Sequence, residues 1–533
     1  MSKRTRSRWG WGFEDAAIGA AEAEAAAPGI EPLFGFGPQE PEAAVPFESV
    51  QLPEPELEPP GGSLGAICSQ SKEERAEHSY GSSYLDTIRA FRGIYEHVPD
   101  LVARPQNEQQ IEQLLEWAAA SNVAVIPYGG GTSVVGGVEP DVPASFNGTC
   151  SLDLGGLDQV LEVDPVSRSA LIGAGASGPR LEEQLGEHGL TMRFYPQSFE
   201  CSTLGGWVAT RAGGHFATRL THIDDLVESV RAITPSGLWQ SRRLPGSGAG
   251  PSPDRILLGS EGTLGVITEA WVRVQPRPDH RASRAVRFAD FLTGAEAARE
   301  IVQSGLDPAN CRLLDQLEAQ QTGAGDGTHS LLVIGFESTD APVDGDLERA
   351  LEIAASHGGQ WDAPTDSRPG AEGNWREAFI KMPYIRDMLV QLGILADTFE
   401  TAITWDRFPS FHEAVIGATR EALGEPCRVS CRFTHLYPDG PAPYYTVLAP
   451  ARRGDEIAQW HQMKQAAGDA IIAAGGTITH HHAVGRDHRP WYDEQRPELF
   501  AAALGAVKRE IDPAGILNPG VLLDLGAAVQ AIQ

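Results

Sequence analysis

The sequence predicts an α+β protein of two domains. These are a glycine-punctuated α/β domain over residues 98–278 and a second α/β domain over 279–450, followed by a helical C-terminal segment over 451–533. Three observations lead there. The 533 residues exceed what a single hydrophobic core organises. The 59 glycines gather in short groups, and several of these groups between residues 129 and 265 stand beside runs with strand or helix period. Past Pro276 and Pro278 such groups become sparse, and longer helix and strand patterns take over.

The elements follow in order. The chain opens on Met1-Ser2-Lys3-Arg4, and Trp9-Gly10-Trp11-Gly12 stands where a signal peptide would need an apolar run. Exposed indoles are costly, so Trp9 and Trp11 are expected to dock on the body. Within an N-terminal extension over 1–97, residues 14–60 are rich in Ala, Glu and Pro and read as a loose, solvated segment. Residues 107–120 carry Ile111, Leu114, Leu115 and Ala118 on one face behind Asn107 as N-cap, which predicts an amphipathic helix. Residues 123–127 predict a short buried strand that runs straight into a glycine cluster. Residues 152–163 and 169–174 alternate as strands about the turn Asp164-Pro165. A helix over 179–188 and a small-residue apolar stretch over 203–212 come next. A strand over 227–234 is stopped by Pro235-Ser236-Gly237, and a β-branched strand pattern occupies 262–274. In the second domain 330–336 and 431–437 read as strands. Residues 388–396 read as an apolar helix, foremost as buried core, with the lining of a lipid tunnel or a segment grazing a membrane as the alternatives. Residues 456–474 and 499–511 close the chain as helices.

Composition excludes several function classes. A net charge of −30, from 72 acidic and 42 basic side chains, opposes non-specific nucleic-acid binding. No apolar stretch reaches the roughly eighteen residues of a membrane span, so membrane contact is at most peripheral. The six cysteines lack CxxC spacing, which argues against a zinc site or disulfide framework and fits a reducing cytoplasm.

The chemistry begins at Pro127-Tyr128-Gly129-Gly130-Gly131-Thr132-Ser133. A strand that breaks into three glycines turns tightly and aims successive N–H groups inward, a nest suited to a pyrophosphate. Alone, it is equally a tight turn of any α/β protein. It is neither GxGxxG nor a Walker A loop. Three further segments join it. Gln197-Ser198-Phe199-Glu200-Cys201-Ser202-Thr203 precedes Leu204-Gly205-Gly206-Trp207, Thr210-Arg211-Ala212-Gly213 follows, and Glu261-Gly262-Thr263-Leu264-Gly265-Val266-Ile267 is a glycine turn feeding a strand.

In this order and spacing the four segments resemble the FAD-binding domain of the vanillyl-alcohol oxidase (PCMH-type) flavoproteins, and within them the alkyldihydroxyacetonephosphate synthases. The resemblance runs from Trp9-Gly10-Trp11-Gly12 through Asn518, apart from the acidic segment. It implies a PCMH-type FAD-binding domain of two α/β subdomains, a cap domain that supplies the substrate site, and a C-terminal segment that completes it. It implies FAD held by the four segments just quoted. Many relatives tether the flavin through a histidine in the glycine loop; Gly131-Thr132-Ser133 has none, so the FAD is expected to be non-covalent.

The same resemblance assigns roles in the second domain. Arg386, in Met382-Pro383-Tyr384-Ile385-Arg386-Asp387, matches an arginine that holds the substrate phosphate, as a planar guanidinium can. Taken alone, it reads first as a surface salt bridge to Asp387 or Glu400. Tyr437 matches a tyrosine that moves the substrate's C1 proton, and Arg312 matches an arginine needed for activity. His480-His481-His482 match histidines beside the flavin, His480 toward the substrate and His481 and His482 tuning protonation. On a strand, His480 and His482 would share one face and His481 the other. No carboxylate or cysteine is locked to them, so no metal is expected. The implied reaction replaces the acyl group of an acylated dihydroxyacetone phosphate with a long-chain alcohol, without passing electrons onward. The implied partners are a lipid substrate and, as an open alternative, a second copy of the chain. The competing reading is an FAD-linked D-2-hydroxyacid dehydrogenase or oxidase. Its His-x-Gly-Asp-Gly-Asn-x-His segment is absent, and His480-His481-His482-Ala483-Val484-Gly485-Arg486 stands in the corresponding region.

Overall fold

A computed structural model describes residues 4–362 and 371–523, without the side chains of 371–380. The chain divides into a three-sheet unit, residues 45–213, 222–276 and 481–533, and a six-stranded unit, residues 1–44, 214–221 and 277–480. The division departs from the expected borders at both ends. The N-terminal extension parts after Ala44, and the C-terminal segment parts after His480 instead of beginning a new block at 451.

The strands of the three-sheet unit are β1 Cys68–Ser69, β2 Leu101–Ala103, β3 Ala124–Tyr128, β4 Thr149–Asp153, β5 Val160–Asp164, β6 Ser169–Gly173, β7 Leu190–Thr191, β8 Val227–Thr234, β9 Gly237–Gln240, β10 Val266–Arg273 and β11 Gln275–Pro276. They form sheets in the orders β1-β2-β4-β3, β5-β6-β10-β8-β9 and β11-β7. In the first, β2, β4 and β3 are parallel. Parallel neighbours need a crossover, and the helix Glu108–Ser121 supplies it between β2 and β3. Its cap is the expected one: Asn107 accepts a hydrogen bond from the Gln110 N–H at 3.0 Å. Ile111, Leu114, Leu115 and Ala118 are buried together with Val125, Ile233 and Val266.

The C-terminal segment enters the same core. Ile516 and Leu517 are buried in it, and Val125 exchanges backbone hydrogen bonds with Ile516 and Asn518 at 2.8 and 2.9 Å. A buried ion pair shapes this segment. Lys508 reaches Asp512 and donates to the carbonyls of Thr263 and Leu517, while Asp512 accepts the N–H groups of Ile516 and Leu517. Each buried charge therefore has partners, as burial requires.

The six-stranded unit is one antiparallel sheet of β12 His280–Phe288, β13 Asn310–Leu314, β14 Ser330–Ser338, β15 Ile394–Glu400, β16 Arg428–Leu436 and β17 Pro441–Pro450, in the order β12-β14-β13-β16-β17-β15. Leu313, Phe433, Tyr445 and Phe399 form its apolar face, packed on the helices Phe291–Gln303 and Phe408–Leu423. Alternation sends Arg312, Arg432, Tyr444, Thr398 and Glu400 to the other face.

Two expectations change here. Residues 388–396 are not one helix. The helix Ala371–Gln391 ends, Gly393 takes φ +67°, and Ile394 starts β15. An apolar run without clear period fits either element, and the left-handed glycine decides. Residues 14–44 are not loose. The short helices Ala20–Ala26 and Ile30–Phe34 set Ala23, Ile30 and Phe36 against Leu389, Leu392, Ile394, Ala396 and Leu448. Gln39 also donates to the carbonyls of Gly393 and Ala451 at 2.8 and 2.7 Å. The acidic composition describes the outer side of this arm, where Glu22 and Glu24 are exposed; a sparse apolar side is enough to dock it. Trp11 is buried as expected. Among the described residues no helix is long and apolar enough to cross a membrane.

Candidate functional site

The glycine cluster lies where β3 ends. Tyr128 is buried with its ring 4.2 Å from that of His78, and its hydroxyl donates to the Glu77 carbonyl. The next three positions have no room for a side chain. A methyl group would lie 2.4 Å from Thr203 Oγ1 at Gly129, 2.0 Å from the Cys201 carbonyl oxygen at Gly130, and 2.0 Å from the Tyr128 hydroxyl at Gly131, where φ is +64°. Two carbonyls of this loop are tied down: Ser82 donates its hydroxyl to that of Gly131 and its N–H to that of Ser133. Among the described residues, none accepts a hydrogen bond from the N–H of Gly131, Thr132 or Ser133. A loop with these carbonyls fixed and its amides unspent suits an anion.

Two companion segments meet it. Thr203 caps the helix Leu204–Thr210, and Gly205 allows that helix to approach Ala174, whose Cβ would lie 2.7 Å from an added methyl. Glu261 and Gly262 take φ +50° and +74°, and a methyl on Gly262 would meet Pro127 at 2.9 Å. The structure thus brings together residues 127–133, 201–206 and 261–262. The remaining predicted residues sit further out or play structural parts. Ser198 and Ser202 hold one another, and Ser202 accepts the Trp207 indole N–H at 2.7 Å. Phe199 packs on Tyr195 and Trp207, with Gln197 and Glu200 half-buried alongside. Arg211 turns onto Asp224, and Ala212 and Gly213 pair with residues 222–223. Thr263, Leu264, Gly265, Val266 and Ile267 are buried and contribute backbone and core. Asn518, not among the expected site residues, bridges the carbonyls of Gly137 and Glu261 at 3.0 and 2.7 Å. The glycine cradle and its unspent amides fit a flavin pyrophosphate.

Glu261 brings a carboxyl group to this cradle. It is buried and accepts the N–H groups of Val484 and Gly485 at 2.9 and 2.7 Å. Burial outweighs these donors and pushes its pKa up to about 7, from 4.5. Between those two values the folded state binds more protons than the unfolded one, so stability falls as pH rises across that window and is level above it. Thermal unfolding from pH 5 to 8 is therefore expected to show a midpoint that declines up to pH 7, with a shallower decline in Glu261→Gln. Parallel curves would contradict the assignment.

In the six-stranded unit the candidate residues Arg312 and Tyr437 belong to the polar face of the sheet. A bulge at Thr434 breaks the register between Phe433, opposite Pro443, and His435, opposite Ala442. One extra residue reverses the alternation, so His435 joins Arg432 on the polar face and Tyr437 follows it. The turn Tyr437-Pro438-Asp439-Gly440, closed by the Tyr437 N–H on the Gly440 carbonyl at 2.9 Å, leads into β17. The Tyr437 hydroxyl lies 2.7 Å from His480 Nε2 and 3.0 Å from Thr221 Oγ1. His435 lies behind, its ring 5.0 Å from that of His480 and its Nε2 3.1 Å from the Gly214 carbonyl.

Glu400 sets the position of His480. Buried at the end of β15, it accepts the His480 N–H at 2.7 Å and the Thr479 hydroxyl at 2.6 Å. The histidine triplet is consequently irregular chain, not a strand. His480 ends the six-stranded unit, while His481 and His482 belong to the three-sheet unit, their rings edge to face at 4.8 Å instead of on opposite sides. Arg312 is buried on β13 and donates to the His215 carbonyl at 3.0 Å. Burial and the nearby Arg432 push its pKa down to about 9. Arg432, fully buried, pairs with Glu318 and lies 3.9 Å over the ring of Tyr444. Arg386, on the helix Ala371–Gln391, donates to Asp387 at 3.4 Å, the salt bridge that its sequence allowed. Thr221, His435 and Glu400 were not legible as site residues, because their partners are remote in sequence.

Comparison with known proteins agrees with both halves. Residues 99–241 match the family model "FAD binding domain", and residues 277–522 match "FAD linked oxidases, C-terminal domain". The alkyldihydroxyacetonephosphate synthase of Dictyostelium discoideum is 31% identical, over 85% of this chain and 78% of its own length. That of Caenorhabditis elegans is also 31% identical, over 85% and 80%. A solved alkyldihydroxyacetonephosphate synthase structure superposes with a TM-score of 0.77 at 26% identity, covering 96% of this chain and 97% of the other. A cradle for FAD on the one hand and relatives matched along most of their length on the other lead to one conclusion: the chain belongs to the alkyldihydroxyacetonephosphate synthase family of FAD flavoproteins.

Proposed function

We propose that this FAD-dependent enzyme exchanges the acyl group of an acylated dihydroxyacetone phosphate for a long-chain alcohol, releasing the fatty acid and forming the ether. The observation that carries the reading is the contact of Tyr437 with His480 and Thr221. A phenol has an ordinary pKa of ~10, so it removes a carbon-bound proton only when its own proton has somewhere to go. His480 Nε2, 2.7 Å away, receives it, and the Thr221 hydroxyl then donates to the phenolate oxygen. Glu400 keeps the imidazole at that distance through the His480 backbone. Arg386 holds the phosphate of the substrate, and Arg312 adds positive charge on the polar face of the sheet. When bound, FAD supplies an electron-accepting ring system. Residues 127–133 would hold its pyrophosphate, without a covalent bond because that loop carries no histidine.

The test is an anaerobic titration of the holoenzyme. With acylated dihydroxyacetone phosphate and a fatty alcohol, stoichiometric release of fatty acid with the oxidised flavin spectrum regained after turnover is the expected result. Lasting bleaching of the flavin by a D-2-hydroxyacid, without acid release from the acylated substrate, would replace this reading with a dehydrogenase.

A further inference from the structure

The Trp-Gly-Trp-Gly sequence near the amino terminus has a role in the structure that its position alone does not suggest. It is the tip of a small hairpin: Ser7 donates its N–H to the Gly12 carbonyl at 3.0 Å, Glu14 donates to Thr5 at 3.0 Å, and the Ser7 hydroxyl accepts the Gly10 N–H at 3.0 Å. The tip is pressed onto the helix Ala371–Gln391 at the residues on either side of Arg386. Trp11 is buried and donates its N–H to the Asp387 carboxylate. A methyl on Gly10 would lie 2.4 Å from Asp387 Oδ2, and one on Gly12 would lie 2.2 Å from the Tyr384 hydroxyl. Gly12 also has φ +68°, a conformation that side chains disfavour. Two close approaches and a buried hydrogen bond thus bring the hairpin onto one turn of helix, more than 370 residues away in sequence.

The other oxygen of the same carboxylate faces Arg386, whose Nη2 donates to Asp387 Oδ1 at 3.4 Å. Asp387 therefore connects the hairpin to the guanidinium. We propose that the hairpin tip Trp9-Gly10-Trp11-Gly12 is a positioning element for substrate phosphate: it fixes Asp387, and through Asp387 the orientation of the Arg386 guanidinium. This rests on the reading of Arg386 as the phosphate ligand. Phosphate recognition by arginine depends on the direction of a planar fork, so orientation affects affinity more than the presence of charge alone. Burial of Asp387 pushes its pKa up to about 6, while Arg386 and the Trp11 N–H favour the charged form. Without the hairpin the carboxylate loses a donor and its hold on the arginine weakens.

The experiment compares Gly10→Ala, Asp387→Asn and Arg386→Gln in the full-length holoenzyme. KM for the acylated phosphate substrate, Ki for inorganic phosphate as competitor, kcat, FAD content and thermal midpoint are measured together. The expected result for Gly10→Ala is a rise in KM and Ki of ~10-fold, about 1.4 kcal/mol of binding, with kcat within ~2-fold and full FAD content. Asp387→Asn keeps the shape of the side chain and gives the same pattern even if the alanine variant does not fold. Arg386→Gln raises Ki further. If Arg386→Gln raises Ki while both other variants leave it unchanged, the positioning role is overturned. If Arg386→Gln itself leaves Ki unchanged, the reading of Arg386 as phosphate ligand is what fails.

Discussion

Replacing Tyr437 with phenylalanine is expected to lower turnover by ~10²–10⁴-fold while FAD remains bound, the range spanned by positioned acid–base groups. The substitution removes one oxygen atom and leaves the surroundings intact. The backbone of Tyr437 is held by the turn to Gly440 and by the Trp405 indole, which donates to the Tyr437 carbonyl at 2.9 Å. None of these bonds involves the phenol. The side chain is half-buried, so its ring keeps its place on the polar face. What is lost is the 2.7 Å contact with His480 and the 3.0 Å contact with Thr221, and with them the route by which a proton leaves the phenol. Single-turnover acid release and flavin absorbance measured on the same sample provide the check. A variant that retains most of its activity would remove Tyr437 from the chemistry.

Gly130→Ala is expected to yield protein that does not retain FAD. The added methyl would lie 2.0 Å from the carbonyl oxygen of Cys201, 2.7 Å from its carbon and 2.9 Å from Ser202 Cα. Nonbonded heavy atoms meet at about 3.5–4.0 Å. All three neighbours are backbone, so no side-chain rotation relieves the clash and the two loops must separate. Overpacking of this kind costs about 1–3 kcal/mol before any ligand is considered. The separation also disperses the amides of Gly131, Thr132 and Ser133. Gly186→Ala, where an added methyl has open space, is the control expected to keep its flavin. Visible absorbance after gel filtration distinguishes them, and a stoichiometrically yellow Gly130→Ala protein would show that this loop does not hold the cofactor. The same variant should also lose the extra thermal stability that a ligand bound only to the folded state confers.

Local patterns were legible in the sequence. Asn107 with Ile111, Leu114, Leu115 and Ala118 announces a capped helix because cap and face repeat within four residues of one another. The glycine cluster at 129–131 announces a close approach because no other residue tolerates one. Tyr437 was identified from resemblance and Arg386 likewise, each in a short recognisable segment. Illegible features depend on distant partners. The fate of residues 388–396 was decided by the backbone of Gly393, the docking of the acidic arm by a few apolar side chains meeting a sheet edge, and the path of His480 by Glu400. Each of these is a tertiary effect overriding a weak local preference, as short apolar runs commonly permit.

The bulge at Thr434 gives the polar face a counting rule. A strand assigns its side chains by odd and even position, so adding or removing one residue is a change of phase. With the extra residue, His435 and Tyr437 are in phase with Arg432; without it, His435 and Tyr437 would exchange sides with Leu436 while Phe433, ahead of the defect, keeps its place. A single deletion between Phe433 and Tyr437 would keep the sheet paired and the fold closed, yet turn the phenol toward the hydrocarbon side. The chemistry of this wall is thus tied to the parity of a short run of residues, a constraint on insertions and deletions that is distinct from any constraint on residue identity.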